Sequence, residues 1–220
     1  MVYYFRQMKE FQNEELKKAK HYISGQREFK ISRLRFLKNK RQSAIAYLLL
    51  RYGLRKEYGI NENVVLSEGS CGKPYLSNYP FVHFNLSHCD KGVACMISDS
   101  AVGIDITSVK KENMSCMYSS MTADEIEKIL HAENPAVQFT KFWSLKESYC
   151  KCIGMGIDSY IKAIDFSNCI GSVFTRYGKM FQVNEVEGSV LSWCASCESN
   201  MLEIDLIELF RGCTNETRDY

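Results

Sequence analysis

The chain has 220 residues, of which 45% are hydrophobic and 25% charged, and its formal net charge is +2. These values fit an ordinary globular protein, long enough to bury a core without disulfide or metal staples, and exclude a disordered or polyelectrolyte chain. No apolar run reaches the roughly 18 residues of a membrane span, and the start, MVYYFRQMKEFQ, has charges where a signal peptide needs an apolar centre; the expected setting is cytoplasmic, with no membrane partner.

Residues 11–25 are expected to be helical, with Phe11, Leu16 and Ile23 available for packing. A basic segment follows from Arg27 to Arg41 and includes Lys30, Arg33, Arg35, Lys38 and Lys40. It raises a nucleic-acid-binding module as a rival reading, but only Phe29 and Phe36 interleave it and the rest of the chain is balanced in charge. The spacing of Ile45, Leu48, Leu49 and Tyr52 predicts a helix over 42–57, broken at 59–61. A short strand over 63–67 and a turn-rich GSCGKPY segment over 69–75 come next.

The middle of the chain reads as strands over 82–87, 92–98 and 101–106, the last interrupted by Asp105. Thr122 and Glu125 fit a capping box at a helix start that also carries Asp124, and a further helix is expected over 136–152, stopping at Gly154-Met-Gly156. From 161 to 209 the alternation reads as strands. Both halves close with similar strands, GVACMIS and VLSWCAS, which hints at a coarse duplication. Ten cysteines without an export signal read as reduced, buried thiols. The Cys194/Cys197 pair has neither a helix start to lower a thiol pKa nor a well-spaced second pair to complete a zinc site.

Three clusters could carry chemistry. Asp105, inside the apolar GIDI strand, needs a partner if it is buried as an ion; a cation or a strand-end cap would serve. Trp143, Glu147 and Lys151 share one helical face in FWSLKESYCK, either as an ordinary surface pair or as a site beside Phe139 and Phe142. Ser87 and His88 end a strand in FNLSH. Neighbours on an extended chain point to opposite faces, so they do not form a nucleophilic pair, but both could donate to a phosphate.

In this order GKPY at 72–75, FNLSH at 84–88, GIDI at 103–106 and FWSLKESYCK at 142–151 resemble the 4′-phosphopantetheinyl transferases of the type that activates surfactin synthetase (Sfp type), and KRQSAIAYLLLR at 40–51 resembles their N-terminal helix. The resemblance implies an α/β fold of two similar halves in pseudo-twofold relation, here 1–102 and 103–220, most naturally a monomer. It implies magnesium-dependent transfer of phosphopantetheine from coenzyme A to a serine of an apo acyl or peptidyl carrier protein, with release of 3′,5′-ADP. Asp105 and Glu147 would be metal ligands, with Thr107, weakly or through a water, where the family usually has glutamate. Glu147 would take the serine proton, Lys146 and Lys151 would contact phosphates, and Ser87 and His88 would donate to one. Lys73 and Pro74 would lie along the nucleotide, and Arg27, Lys30, Arg33 and Arg41 would include the 3′-phosphate ligand. Gln42 stands where arginine is common. Residues 109–121 would receive the carrier through Lys110, Lys111, Met114, Met117 and Met121, unless those methionines are core. A degenerate member that binds coenzyme A or carrier without transfer is the remaining alternative.

Overall fold

The computed structural model describes residues 1–69, 72–156 and 159–214. The turn expected over 69–75 therefore includes two residues, 70 and 71, outside the described ones. The expected first helix is divided. Helix α1 (Asn13–Ala19) runs into a single 3-10 turn, Ile23 is extended, and Ser24 then caps helix α2 (Gly25–Ser32) by accepting from the Arg27 N–H. A serine followed by a fresh run of helix formers starts a new helix rather than extending the old one. Helix α3 (Leu37–Tyr58) begins five residues before its expected start, because Lys38, Lys40 and Arg41 are good helix formers on a solvated turn. It ends at Gly59, whose φ of 67° is the left-handed cap that glycine adopts without strain.

Strands β1 (Val2–Phe5), β4 (His83–His88) and β5 (Val93–Ser98) form one sheet with β10 (Met201–Glu203), in the order β10-β1-β5-β4. Strands β2 (Leu66–Glu68) and β3 (Pro74–Leu76) pair separately. The second four-stranded sheet orders β6 (Gly103–Ser108), β9 (Ser189–Ala195), β8 (Lys179–Val186) and β7 (Val173–Arg176). Helix α4 (Met117–Ser120) and helix α5 (Ala123–Leu130), which carries the expected Thr122–Glu125 capping box, lead to helix α6 (Pro135–Ile153) on this sheet. The architecture is α/β, with one long helix for each four-stranded sheet.

The stretch expected as strands up to 209 ends in a helix instead. Asp205 caps α7 (Leu206–Arg211) by accepting from Glu208 N, and β10 lies parallel to β1. The last elements thus return to the first sheet, so the division expected at 102/103 falls between β5 and β6 without separating the two ends of the chain. Val2, Ala94 and Met96 of the first sheet pack with Ile104, Ile106, Leu191 and a wholly buried Trp193 of the second, joining the sheets through one apolar cluster. All nine described cysteines are free. Among the described residues no helix is long and apolar enough to cross a membrane.

Candidate active site

The FNLSH and GIDI segments lie side by side as the edges of the two sheets, β4 and β6. What joins them is side chain to backbone. Asn85 Oδ1 accepts from Ile104 N at 2.9 Å, and Ser87 Oγ accepts from Ile106 N at 3.2 Å. Two buried polar side chains on alternate positions of β4 therefore satisfy alternate N–H groups of β6, as a neighbouring strand would. On its other side β6 is pressed against α6. A Cβ on Gly103 would sit 1.9 Å from Ser148 O and 2.4 Å from Cys152 N, so only glycine lets the strand approach this closely. Ser144, small and buried, faces Ser192 at 2.9 Å between the same helix and sheet.

These contacts place Asp105, Glu147 and Lys151 together on a cleft of about 460 Å3, whose walls include His88, Thr107 and Trp143. Asp105 is buried and takes three hydrogen bonds. Ser87 Oγ donates to its Oδ1 at 3.0 Å, Lys151 Nζ to the same oxygen at 2.7 Å, and Thr107 Oγ1 to Oδ2 at 2.7 Å. The Lys151 ammonium is also 3.6 Å from Glu147 Oε2. One cation thus stands between two buried carboxylates.

The electrostatics follow from that arrangement. Burial, reinforced by the Asp105 charge and opposed by Lys151, pushes the Glu147 carboxyl up to about 7. Burial works against the charge of Lys151, but its two carboxylates outweigh it and raise the ammonium above its ordinary value. The His88 ring is lowered by its partial enclosure and by the positive charges of Lys151, Arg27 and Lys38, so it is neutral at pH 7 and keeps one N–H to donate. Ser87 does not present a free hydroxyl, because its proton goes to Asp105 and its oxygen also receives Ile106 N–H and, at 3.3 Å, Lys151.

A second cleft, of about 550 Å3, is lined by Arg27, Lys30 and Arg33 from α2, with Phe29, Glu68 and Pro74. Arg27 donates to Ser43 O at 3.1 Å, while its buried Nε has no hydrogen-bond partner among the described residues. Arg41 likewise has a buried, unpartnered Nε and spends Nη2 on Asn13 at 3.1 Å. Lys30 pairs with Glu68 at 2.7 Å in solvent. Gln42 donates to Cys89 O at 2.7 Å, just after the FNLSH strand.

Most of the chain matches known sequences. Residues 10–100 match the family model described as "4′-phosphopantetheinyl transferase, N-terminal", and residues 101–199 match that of the "4′-phosphopantetheinyl transferase superfamily". The chain belongs to the 4′-phosphopantetheinyl transferase superfamily. Among its relatives, the 4′-phosphopantetheinyl transferase psf-1 of Bacillus pumilus is 30% identical over 146 residues, 65% of this chain and 63% of the relative. The 4′-phosphopantetheinyl transferase Sfp of Bacillus subtilis (strain 168) is 25% identical over 147 residues, 66% of each chain. The L-aminoadipate-semialdehyde dehydrogenase-phosphopantetheinyl transferase of Saccharomyces cerevisiae is 34% identical over 131 residues, 54% of this chain and 48% of the relative. The matches to these relatives span less than two thirds of the relatives' own length.

Several residues singled out by the phosphopantetheinyl transferase resemblance lie elsewhere than expected. Lys146 does not face the cleft that holds Asp105, Glu147 and Lys151. Its ammonium is fully buried 2.6 Å from Glu125, and donates to Ser120 O at 2.8 Å and Ile161 O at 3.2 Å. The next residue on a helix is rotated by about 100°, so Lys146 and Glu147 see different surroundings. Lys73 also turns inward, donating to Val102 O at 3.0 Å and Lys151 O at 2.6 Å, where it meets the negative end of α6. Met117 and Met121 are buried in the core of the second half, while Met114 packs against it and stays partly exposed. Sequence reasoning missed Asn85 and Glu125. Asn85 lies inside FNLSH without a chemical signal of its own; Glu125 carries a local signal only as the capping-box partner of Thr122, and its pairing with Lys146 across the chain leaves none.

Among the described residues no three His, Cys, Asp or Glu side chains are grouped to hold a metal ion. Two carboxylates meeting on one cation still fit magnesium, which commonly binds one or two protein carboxylates together with waters and substrate phosphates.

Proposed function

We propose that this superfamily member transfers the phosphopantetheine arm of coenzyme A to a serine of an apo carrier protein and releases 3′,5′-ADP, acting in the cytoplasm. The observation that carries this reading is the pair of buried carboxylates, Asp105 and Glu147, meeting on the single ammonium of Lys151. A site that gathers a shared cation between carboxylates, beside a neutral imidazole and a basic groove, suits a substrate rich in phosphate.

Arg27, with Lys30 and Arg33 beside it, offers donors to the 3′-phosphate, and the orphaned Arg27 Nε gives it a vacant hydrogen bond to fill. His88 and Lys151 offer donors to the pyrophosphate. Bound by Asp105 and Glu147, magnesium would neutralise charge on the pyrophosphate oxygens and polarise the phosphorus. Glu147, as a carboxylate at the cleft, is suited to accept the serine proton as the serine oxygen bonds to the β-phosphorus and the bond to the leaving phosphate breaks. Thr107 supplies only a hydroxyl, already donated to Asp105, so magnesium would be held more weakly than with a third carboxylate.

The direct test is transfer of a fluorescent group carried on coenzyme A to a panel of apo acyl and peptidyl carrier proteins. In-gel fluorescence on a carrier supports the reading. Tight coenzyme A binding with no labelled carrier would favour the degenerate reading instead.

A further inference from the structure

From Arg27 to Arg41 there are seven basic residues and one acidic one, Glu28, within a chain whose net charge is only +2. The structure divides these groups. Arg27, Lys30 and Arg33 line the basic groove, and Arg41 is tied to Asn13. The junction between α2 and α3 remains as a projecting knuckle. Phe36 and Leu37 are 58% and 43% exposed there, and the Arg35 guanidinium lies over the Phe36 ring at 5.2 Å. Phe36 and Leu37 are adjacent and flanked by cations, so they form a small joined apolar surface with a basic rim, the form a partner's surface can cover.

Their location points to what does. Lys38, one residue further, is paired with Asp90, which also holds Lys110 at 2.8 Å. Asp90 and Lys110 both line the catalytic cleft, so the knuckle stands at its rim. Of the methionines of 109–121, which would have offered the other apolar contact, Met117 and Met121 are spent on the core and Met114 stays partly exposed.

We propose that Arg35, Phe36 and Leu37, with Lys38, form the docking surface for the acidic carrier protein. A helix of that partner would lay apolar side chains on Phe36 and Leu37 and carboxylates against Arg35. This rests on the proposed transfer for the identity of the partner. Charge complementarity selects an acidic protein over a basic or neutral one, and the position beside the cleft brings the partner's serine within reach.

The local helix chemistry supplies a variant that spares the fold. Phe36 is the N-cap residue of α3 and makes no side-chain cap bond, so Phe36→Ser places a preferred cap there. Leu37→Glu places an acid in the first turn, where the dipole favours it. Affinities of the wild type and of the Phe36→Ser/Leu37→Glu and Arg35→Glu variants are measured by calorimetry, for coenzyme A and separately for apo carrier proteins. Carrier Kd is expected to rise about tenfold or more in either variant, with coenzyme A Kd unchanged. The Arg35→Glu loss shrinks as salt is raised.

Carrier affinity within twofold of wild type in both variants would overturn the assignment, as would equal loss of coenzyme A affinity. A wild type that binds no acidic carrier, or whose knuckle is needed instead for binding random-sequence DNA or anionic vesicles, would overturn it too. Because binding is read without turnover, failure of docking is separable from failure of transfer, which the labelled-carrier assay reports.

Discussion

Replacing Lys146 by methionine separates a structural lysine from a phosphate-binding one. The Lys146–Glu125 pair is wholly enclosed, and each partner is hydrogen-bonded on its remaining sites. Lys146 reaches two carbonyls, while Glu125 accepts Thr122 N at 2.9 Å and Phe166 N at 3.0 Å. Removing one partner of such a pair leaves a buried, uncompensated charge and costs about 3–5 kcal/mol. For a chain of this size, at about 2–4 °C per kcal/mol, the melting temperature should fall by roughly 6–20 °C. Adding Glu125→Gln removes the stranded charge while keeping a carbonyl for the backbone donors, so the double variant should recover part of the loss. Thermal and urea unfolding, with coenzyme A affinity measured well below the transition, read both effects. A Lys146→Met protein of unchanged stability that loses coenzyme A affinity would refute this account and restore Lys146 to the phosphates.

The remaining predictions concern the cleft and its seams. Glu147 is held above the ordinary carboxyl value, so folding favours its neutral form; the stability this carries is complete below about pH 4.3 and is lost as the pH rises through about 7. In chelator, Glu147→Gln should therefore gain on wild type by on the order of 3 kcal/mol between pH 4 and pH 8, and parallel pH profiles in denaturant melts would contradict the burial of that carboxyl. Thr107→Glu should tighten magnesium binding in a calorimetric titration; an unchanged affinity would remove Thr107 from the metal shell. Asn85→Ala strands the Ile104 N–H and should cost about 1–3 kcal/mol by urea unfolding. Gly103→Ala forces a Cβ into the backbone of α6 and should yield little folded protein, whereas a stable, soluble variant would show that strand and helix can part.

Much of the site was legible because its signals are local. The period of a helix put Trp143, Glu147 and Lys151 on one face, and a lone acid in an apolar strand marked Asp105. The capping box at Thr122 and the stop at Gly154 were equally local, and both are present. What the sequence concealed is long-range. Lys146 looked like part of the cleft because it adjoins Glu147, but its partner is Glu125, brought near only by the packing of α5 on α6. Lys73 looked available to the nucleotide until its ammonium was found capping the end of α6. Met114, Met117 and Met121 recur at intervals of three and four, which suits a packed face and a docking face equally, and only the burial of Met117 and Met121 decides for the core. The helix at 206–211 was hidden for a different reason: six residues capped by Asp205, fewer than two turns, are too few to set their period against the strands before them.

The central claim is that Asp105, Glu147 and Lys151 carry phosphopantetheine transfer. Intact-mass analysis of an apo carrier protein, incubated with coenzyme A, magnesium and either wild type or Glu147→Gln, tests it most directly. Wild type is expected to leave the phosphopantetheine increment on the carrier, and the variant little or none in the same time. Equal increments from both proteins, or none from the wild type with any carrier tried, would contradict it.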